Sequence, residues 1–263
     1  MLVVKVGGSI RDVDPLLRDV AACAHRVVLV HGASRELNEL SAALGHQPRM
    51  VESMNGDVSR YTDSETMDHF LMTYAGKANK RIVERLRRLG VNAIGLTGLD
   101  GGIVQGRRRA DLRIHEHGRV KVLHDNHVGS IERVDTTLLD MLLQSGYTPV
   151  LTPPIAAEDG AAVNVDGDKL AAAVAVALRA SHLIILSDTP GLLREAGDDS
   201  TVLERIDVAN LNGLEETIGG RARTKLRAAV DARRRAVGEV IIADGRVEQP
   251  LTSSLAGAGT RVA

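Results

Sequence analysis

A single cysteine, Cys23, leaves no way to close an intrachain disulfide and no cysteine-based zinc site. One thiol fits a reducing compartment, so a cytoplasmic protein is expected. There is no tryptophan and aromatic residues are 2% of the chain, so stacking platforms for single-stranded nucleic acid are not expected. No apolar run approaches the roughly 20 residues a membrane helix needs. The opening Met1–Val6 run is cut short by Gly7-Gly8 and reads as a first strand, not a signal peptide. Neither sign of charge dominates. Thirty-three basic against 34 acidic residues give a formal net charge of −1, which argues against dedicated nucleic-acid or anionic-membrane binding. Lysine is scarce too: the basic residues are mostly arginine, and Lys5, Lys77, Lys80, Lys121, Lys169 and Lys225 are the full set.

What is present is an ordinary globular composition, 44% hydrophobic and 25% charged over 263 residues, long enough for one large domain or two intimate lobes. Short runs rich in Val, Ile and Leu recur at Leu2–Val6, Arg26–Val30, Asn92–Leu96, Thr148–Thr152, His182–Leu186 and Glu239–Ala243. Several are nearly continuous, as in strands covered on both faces. Helical patterns lie between them. Thr62 to Glu65 has capping-box spacing, with Met67, Phe70, Leu71 and Tyr74 on one face behind it. Ile82, Leu86 and Leu89 continue a stripe to Gly90, and Leu138 to Leu143 mark a helix closed by Gly146. Leu170 to Leu178 is apolar all round and reads as buried; Thr224 to Ala236 reads as a last, Arg-rich helix. The alternation predicts a three-layer α/β/α sandwich with a central, mostly parallel sheet. Residues 101–133 interrupt it as a polar, glycine-rich hairpin excursion, and a turn-rich stretch from Pro153 to Gly160 suggests two lobes, 1–155 and 156–263.

Chemistry-bearing residues gather at the ends of these strands. Lys5-Val6-Gly7-Gly8-Ser9 could close backbone amides on an anion, although it has neither P-loop nor G-x-G-x-x-G spacing. His31-Gly32-Ala33-Ser34 repeats the theme before a helix that starts near Ser34; His31 reads as a hydrogen-bonded strand-end residue. Asn164, Asp166 and Asp168 stand at the mouth of the apolar helix. Asp168 suits a cap, yet two aspartates there are costly without a basic partner. Gly219-Gly220 leads into a basic helix start at Arg221 to Lys225, where cations oppose the helix dipole unless an anion joins them.

Taken in order, Lys5-Val6-Gly7-Gly8, His31-Gly32, Asn79-Lys80, Gly95 to Gly98, Asn164 with Asp168, Leu186 to Leu192, Lys225 and the closing Gly257 to Val262 resemble the amino acid kinase family across essentially the whole chain. Ser59 to Asp63, followed by Asn79-Lys80, looks like the N-acetylglutamate kinase branch. Leu44-Gly45-His46, Pro48-Arg49, Ser59 to Thr66 and Gly98 to Gly101 look closer still to its LysW-aminoadipate and LysW-glutamate kinase relatives, whose substrate is capped by a small acidic carrier protein.

The resemblance implies the following roles. Lys5 and Lys225 neutralise the transferred phosphoryl group and Asp168 holds them. Gly7, Gly8, Ala33 and Ser34 supply amides around phosphate and substrate. Arg60 and Asn164 bind the α-carboxylate. Ser187, Asp188, Thr189, Gly191 and Leu192 border the nucleotide. The expected cofactor is ATP, with Mg²⁺ carried by the nucleotide and no metal site on the protein. A side-chain carboxylate, ionised above a pKa of roughly 4.3, needs no general base; the task is to bring an anion to a polyanion. Arg107, Arg108, Arg109 and Arg113 make the excursion basic. On its own that reads as a solvated face, but an acidic carrier would gain steering from it. The expected partners are therefore an acidic LysW-type carrier and ATP. A free N-acetylglutamate kinase and a non-catalytic ligand sensor on the same fold stay as alternatives. A homodimer is expected because the sequence starts at its first strand, without a leading helix; aspartokinase is disfavoured because nothing follows Ala263 to regulate it. Two departures stand out: Ala33 where a glycine is usual, and Arg221 where some relatives have glycine.

Overall fold

The computed structural model describes residues 1–52, 58–116, 119–211 and 213–263. Eight strands form one sheet in the order Arg205–Ile206, Thr260–Val262, Glu239–Asp244, His182–Ser187, Leu2–Val6, Val27–His31, Thr148–Thr152, Ala93–Thr97. Every pairing in it is parallel except that of Thr260–Val262 with Glu239–Asp244. The six apolar runs read from the sequence are the six inner and right-hand strands, each within a residue or so of its expected limits. The two strands that extend the sheet beyond Glu239–Asp244 are too short, at two and three residues, to show a pattern.

Strand alternation explains both cores and the placement of the site. Leu2, Val4, Val6, Leu29 and Ile184 pack under helices Asp14–Ala22, Asn79–Arg88 and Pro250–Leu255. Val3, Val28, Val30, Leu183 and Ile185 pack on the other side, against helices Thr137–Gln144, Gly167–Ala177 and Gly220–Arg234. These are the three layers of an α/β/α sandwich. Lys5 shares the parity of Val3, so it rises on the second face, towards Gly167–Ala177 and Gly220–Arg234.

The excursion is more elaborate than one hairpin. Val104–Arg108 and Gly129–Val134 join Ile155–Ala156 and Ala162–Val163 in a four-stranded sheet, while Leu112–Glu116 and Arg119–Leu123 form a separate pair. Another small pair, Met50–Glu52 with Val58–Arg60, precedes helix Ser64–Phe70. A π-helical stretch, Leu71–Ala78, joins that helix to Asn79–Arg88; its wider winding shifts the register between the two. Gly90 and Gly146 end their helices at φ of +82° and +78°, as expected of left-handed caps.

Three local expectations are corrected. The helix at 64 is capped by Asp63, which accepts the Thr66 amide at 2.8 Å. Thr62 and Glu65 do not form the box, because Thr62 Oγ1 turns to Asn164 Nδ2 and Glu65 to His46. The apolar helix is capped by Asp166, which accepts the Asp168 and Lys169 amides at 2.9 and 3.0 Å, so Asp168 is not the cap. The Arg-rich helix begins at Gly220, four residues early, and is not the last, since Pro250–Leu255 follows. Lys225 therefore stands in its second turn, and Arg221 and Arg223 in its first. Among the described residues no helix is long and apolar enough to cross a membrane.

Candidate active site

With Asp166 acting as cap, the Asp168 side chain is released towards the sheet. It meets Lys5 Nζ at 2.6 Å and Lys225 Nζ at 3.5 Å, one lysine on each carboxylate oxygen. All three are nearly enclosed, with side-chain exposures of 9% for Lys5, 15% for Lys225 and 8% for Asp168. Burial opposes ionisation of Asp168, but the two lysines outweigh it and hold the carboxyl below its ordinary range. Lys225 is pulled the other way: burial, helped by repulsion from Lys5, lowers its pKa despite Asp168. Two cations share one anion, so the cluster keeps a surplus positive charge that a phosphoryl group can use.

The two glycine turns close on the same place. A Cβ on Gly8 would stand 3.0 Å from the Ser34 amide nitrogen and 3.2 Å from that of Ala33. One on Gly7 would stand 3.2 Å from Leu186 O. Glycine is needed here for close approach of backbones. Ala33 sits at φ −145°, outside the left-handed region, so alanine is accommodated without strain while its amide stays in place. His31 anchors this turn from below. It is fully buried, and Asn79 Nδ2 lies 3.1 Å from its Nε2 and 2.9 Å from Val150 O. Burial lowers its pKa to about 4, so it is a neutral structural histidine.

Thr62 links Arg60 and Asn164: its hydroxyl donates to the backbone oxygen of Arg60 at 3.4 Å and accepts from Asn164. Asn164 Nδ2 donates to Thr62 Oγ1 at 3.2 Å, Thr62 O accepts the His127 amide at 2.6 Å, and Asn164 N donates to His127 O at 2.7 Å. Arg60 Nη1 is buried and has no hydrogen-bond partner among the described residues. Burial lowers the Arg60 pKa, opposed by Tyr74 and reinforced by Arg221. Tyr74 stacks on Phe70 at 3.8 Å within a cluster that includes Ala33, Leu37 and Met67. Burial pushes its hydroxyl up to about 12 against the pull of the Ala33 amide and Arg60. Sequence reading placed Tyr74 only in a core and Thr62 only in a cap. The partners that tie them to the site, Arg60 and Ala33 for Tyr74 and His127 and Asn164 for Thr62, lie 14 to 102 residues away along the chain, so no local pattern could have marked that role.

Ser187 ends its strand, buried, with its hydroxyl 3.2 Å from Thr189 Oγ1. Asp188 is exposed. Gly191 and Leu192 face inward: the Leu192 amide donates to Thr260 Oγ1 at 2.8 Å, and a Cβ on Gly191 would come within 2.6 Å of that oxygen. A cavity of about 770 Å³ opens elsewhere, between Pro190, Val202, Asp244, Val247, Gly259 and Arg261; none of Lys5, Asp168 or Lys225 lines it.

The four excursion arginines divide. Arg107, Arg109 and Arg113 are exposed. Arg108 is half-buried and committed internally, donating from Nε to Asn126 O at 2.9 Å and pairing with Asp125 at 3.3 Å.

Two lysines on one aspartate, under converging amides and at the ends of parallel strands, form a seat for a polyanion. The sequence profile of the amino acid kinase family matches residues 1–244, and the chain belongs to that family. It is 46% identical over 266 residues to the LysW-aminoadipate kinase of Deinococcus radiodurans, covering all of this chain and 91% of that one. It is 42% identical to the LysW-aminoadipate kinase of Thermus thermophilus, with both chains fully covered. An acetylglutamate kinase of Methanopyrus kandleri is 36% identical over the full length of both. Among solved structures, an N-acetylglutamate synthase from Neisseria gonorrhoeae superposes with a TM-score of 0.78 at 26% identity. All of this chain is covered there, and it spans 59% of the length of that one.

Proposed function

We propose that this protein is an ATP-dependent kinase that phosphorylates the side-chain carboxylate of L-2-aminoadipate held by an acidic LysW-type carrier, with carrier-linked glutamate as a further acceptor. The Lys5–Asp168–Lys225 cluster carries the reading of phosphoryl transfer, and full-length similarity to two LysW-aminoadipate kinases supports the acceptor. Lys5 and Lys225 take the negative charge of the transferring group, and Asp168 fixes their positions without acting as a base. The amides of Gly7, Gly8, Ala33 and Ser34 surround the phosphoryl group and the acceptor carboxylate. Arg60 and Asn164 orient the acceptor by its α-carboxylate, for which the unpartnered Arg60 Nη1 is suited. Ser187, Asp188, Thr189, Gly191 and Leu192 border the nucleotide, the last two through backbone since they face inward.

Both Asp168 oxygens are engaged by lysines, so Asp168 is no metal ligand in this reading; Mg²⁺ would come with the nucleotide and would supply further charge neutralisation there. In this reading residues 1–155 serve the acceptor and dimer contacts, and 156–263 serve the nucleotide. Arg107, Arg109 and Arg113 offer an exposed basic face to the acidic carrier; Arg108 supports that face from within. A second reading, N-acetylglutamate as free acceptor, has the Methanopyrus kandleri relative behind it.

Acyl-phosphate formation, trapped with hydroxylamine, tests the choice with carrier-linked aminoadipate, carrier-linked glutamate and N-acetylglutamate offered in parallel. Turnover of the carrier-linked acceptors that weakens with salt supports the first reading. Efficient, salt-insensitive turnover of N-acetylglutamate replaces it with the second.

A further inference from the structure

The closing strand, Thr260–Val262, holds one end of a loop that belongs to the site. Gly259 delivers it to the sheet at φ +94°, so close that a Cβ there would stand 2.4 Å from Ile242 O and 2.8 Å from Ala243 Cβ. The next residue, Thr260, pairs with Ile242 and is wholly buried. A buried hydroxyl needs a partner. Thr260 finds it 68 residues back, where its Oγ1 accepts the Leu192 amide at 2.8 Å. A Cβ on Gly191 would meet the same oxygen at 2.6 Å and the Thr260 amide nitrogen at 3.2 Å, so the two backbones are in close contact. Residues 187–192 leave the carboxyl end of His182–Ser187, the edge of a parallel sheet where ligands gather. Their near end is held beside Gly7, whose amide donates to Leu186 O at 3.0 Å. Within the loop, Thr189 Oγ1 lies 3.2 Å from Ser187 Oγ and donates to Gly191 O at 2.8 Å. The far end is Leu192, with its amide on Thr260 and its carbonyl accepting the Leu203 amide at 2.9 Å. Without the Thr260 hydroxyl the Leu192 N–H would be an orphaned buried donor, and the loop would have to shift to satisfy it.

We infer that Thr260 is a positioning residue for the nucleotide: its hydroxyl fixes residues 188–192 in the conformation that receives ATP. The closing strand thereby serves the reaction without touching a reacting group. This rests on residues 187–192 bordering the nucleotide, as proposed above, and the experiment separates the two statements.

Thr260→Val keeps the shape and removes the hydroxyl, Thr260→Ser keeps the hydroxyl, and Thr260→Ala is a second deletion should the valine variant not fold. Ser254→Ala is the structural control: Ser254 is equally buried, in the neighbouring helix Pro250–Leu255, and its hydroxyl donates to Pro250 O at 2.6 Å rather than to the loop. Calorimetry measures binding of the magnesium salt of AMP-PNP, steady-state kinetics give the KM for ATP and for acceptor, and hydrogen exchange follows the amides of residues 188, 189, 191 and 192. Thr260→Val weakens AMP-PNP binding and raises the KM for ATP about five- to tenfold, the size expected for a buried amide left unpaired. The KM for acceptor stays within about twofold of wild type, and the Leu192 amide exchanges faster. Thr260→Ser restores most of the affinity. Ser254→Ala lowers the melting temperature and leaves AMP-PNP binding as in wild type. Equal weakening by Ser254→Ala assigns the effect to general loosening and overturns the inference, as does a change confined to the KM for acceptor or a serine variant no better than valine. If AMP-PNP binds the wild type without slowing exchange at these amides, the nucleotide lies elsewhere and the positioning role falls with that reading. If it slows their exchange while Thr260→Val and Thr260→Ala bind it as tightly as wild type, the positioning role alone is overturned.

Discussion

The Lys5–Asp168–Lys225 cluster and the arginine-rich excursion both concentrate positive charge, and they treat it in opposite ways. In the cluster the charge is buried, shared on one carboxylate and fixed by three different elements: a strand end and two helices. On the excursion it is exposed and loosely matched. Arg107 pairs with Glu132 at 3.0 Å with both side chains about half exposed or more, a pair of the kind worth roughly 0–1 kcal/mol. Buried charge at fixed geometry can stabilise a reacting group without reorganising. Exposed charge acts at longer range, through solvent, on encounter and orientation. In the proposed reading, the molecule separates the group that performs the transfer from the surface that meets the carrier.

The sharpest way to break this comparison is to remove the shared anion. Asp168→Asn leaves two buried lysines facing each other, and activity should fall by about 10³-fold or more, with a stability loss of about 3–5 kcal/mol as for other broken buried pairs. Turnover and denaturant melts check both. The pH dependence of stability follows the same carboxyl. Its folded pKa lies below the ordinary value, so its contribution is complete above the unfolded carboxylate pKa and is lost as pH falls through the lower, folded one. Acid melts of wild type should show this loss below about pH 4, and Asp168→Asn should not.

A smaller effect is expected from Gly8→Ala. The added methyl meets the Ser34 and Ala33 amides at 3.0 and 3.2 Å and pushes the two turns apart. A fall in kcat of about 10²-fold, with a folded chain, is expected from displaced amides; a kinetic and melting comparison with Gly32→Ala, whose nearest neighbours lie at 3.6 Å, checks it.

How much of this could be read beforehand varies with range. The inner strands and the helix stops at Gly90 and Gly146 were legible because strand alternation and left-handed glycine are local. Lys5, Asp168 and Lys225 were legible one by one, and the resemblance joined them; the structure explains their meeting through the parity of Lys5 with Val3. Caps were misread because Thr62 and Asp168 have partners that lie far away in sequence. Arg108 looked like its neighbours, yet Asn126 and Asp125 draw it inside.

The least disruptive test concerns the excursion itself. Reversing Arg107, Arg109 and Arg113 to glutamate should raise the KM for a carrier-linked acceptor about tenfold at low salt and far less at high salt, with kcat and melting unchanged. Arg108→Ala should do the reverse, costing about 1 kcal/mol of stability through the lost, partly buried hydrogen bond to Asn126 and leaving the salt dependence alone.

The central claim is that the paired lysines carry the phosphoryl transfer. Single-turnover acyl-phosphate formation by Lys5→Ala, with ATP and carrier-linked aminoadipate both saturating, tests it most directly. The account predicts a rate at least about 10³-fold below wild type with ATP still bound. A rate within tenfold of wild type would contradict it and move the chemistry away from the Lys5–Asp168–Lys225 cluster.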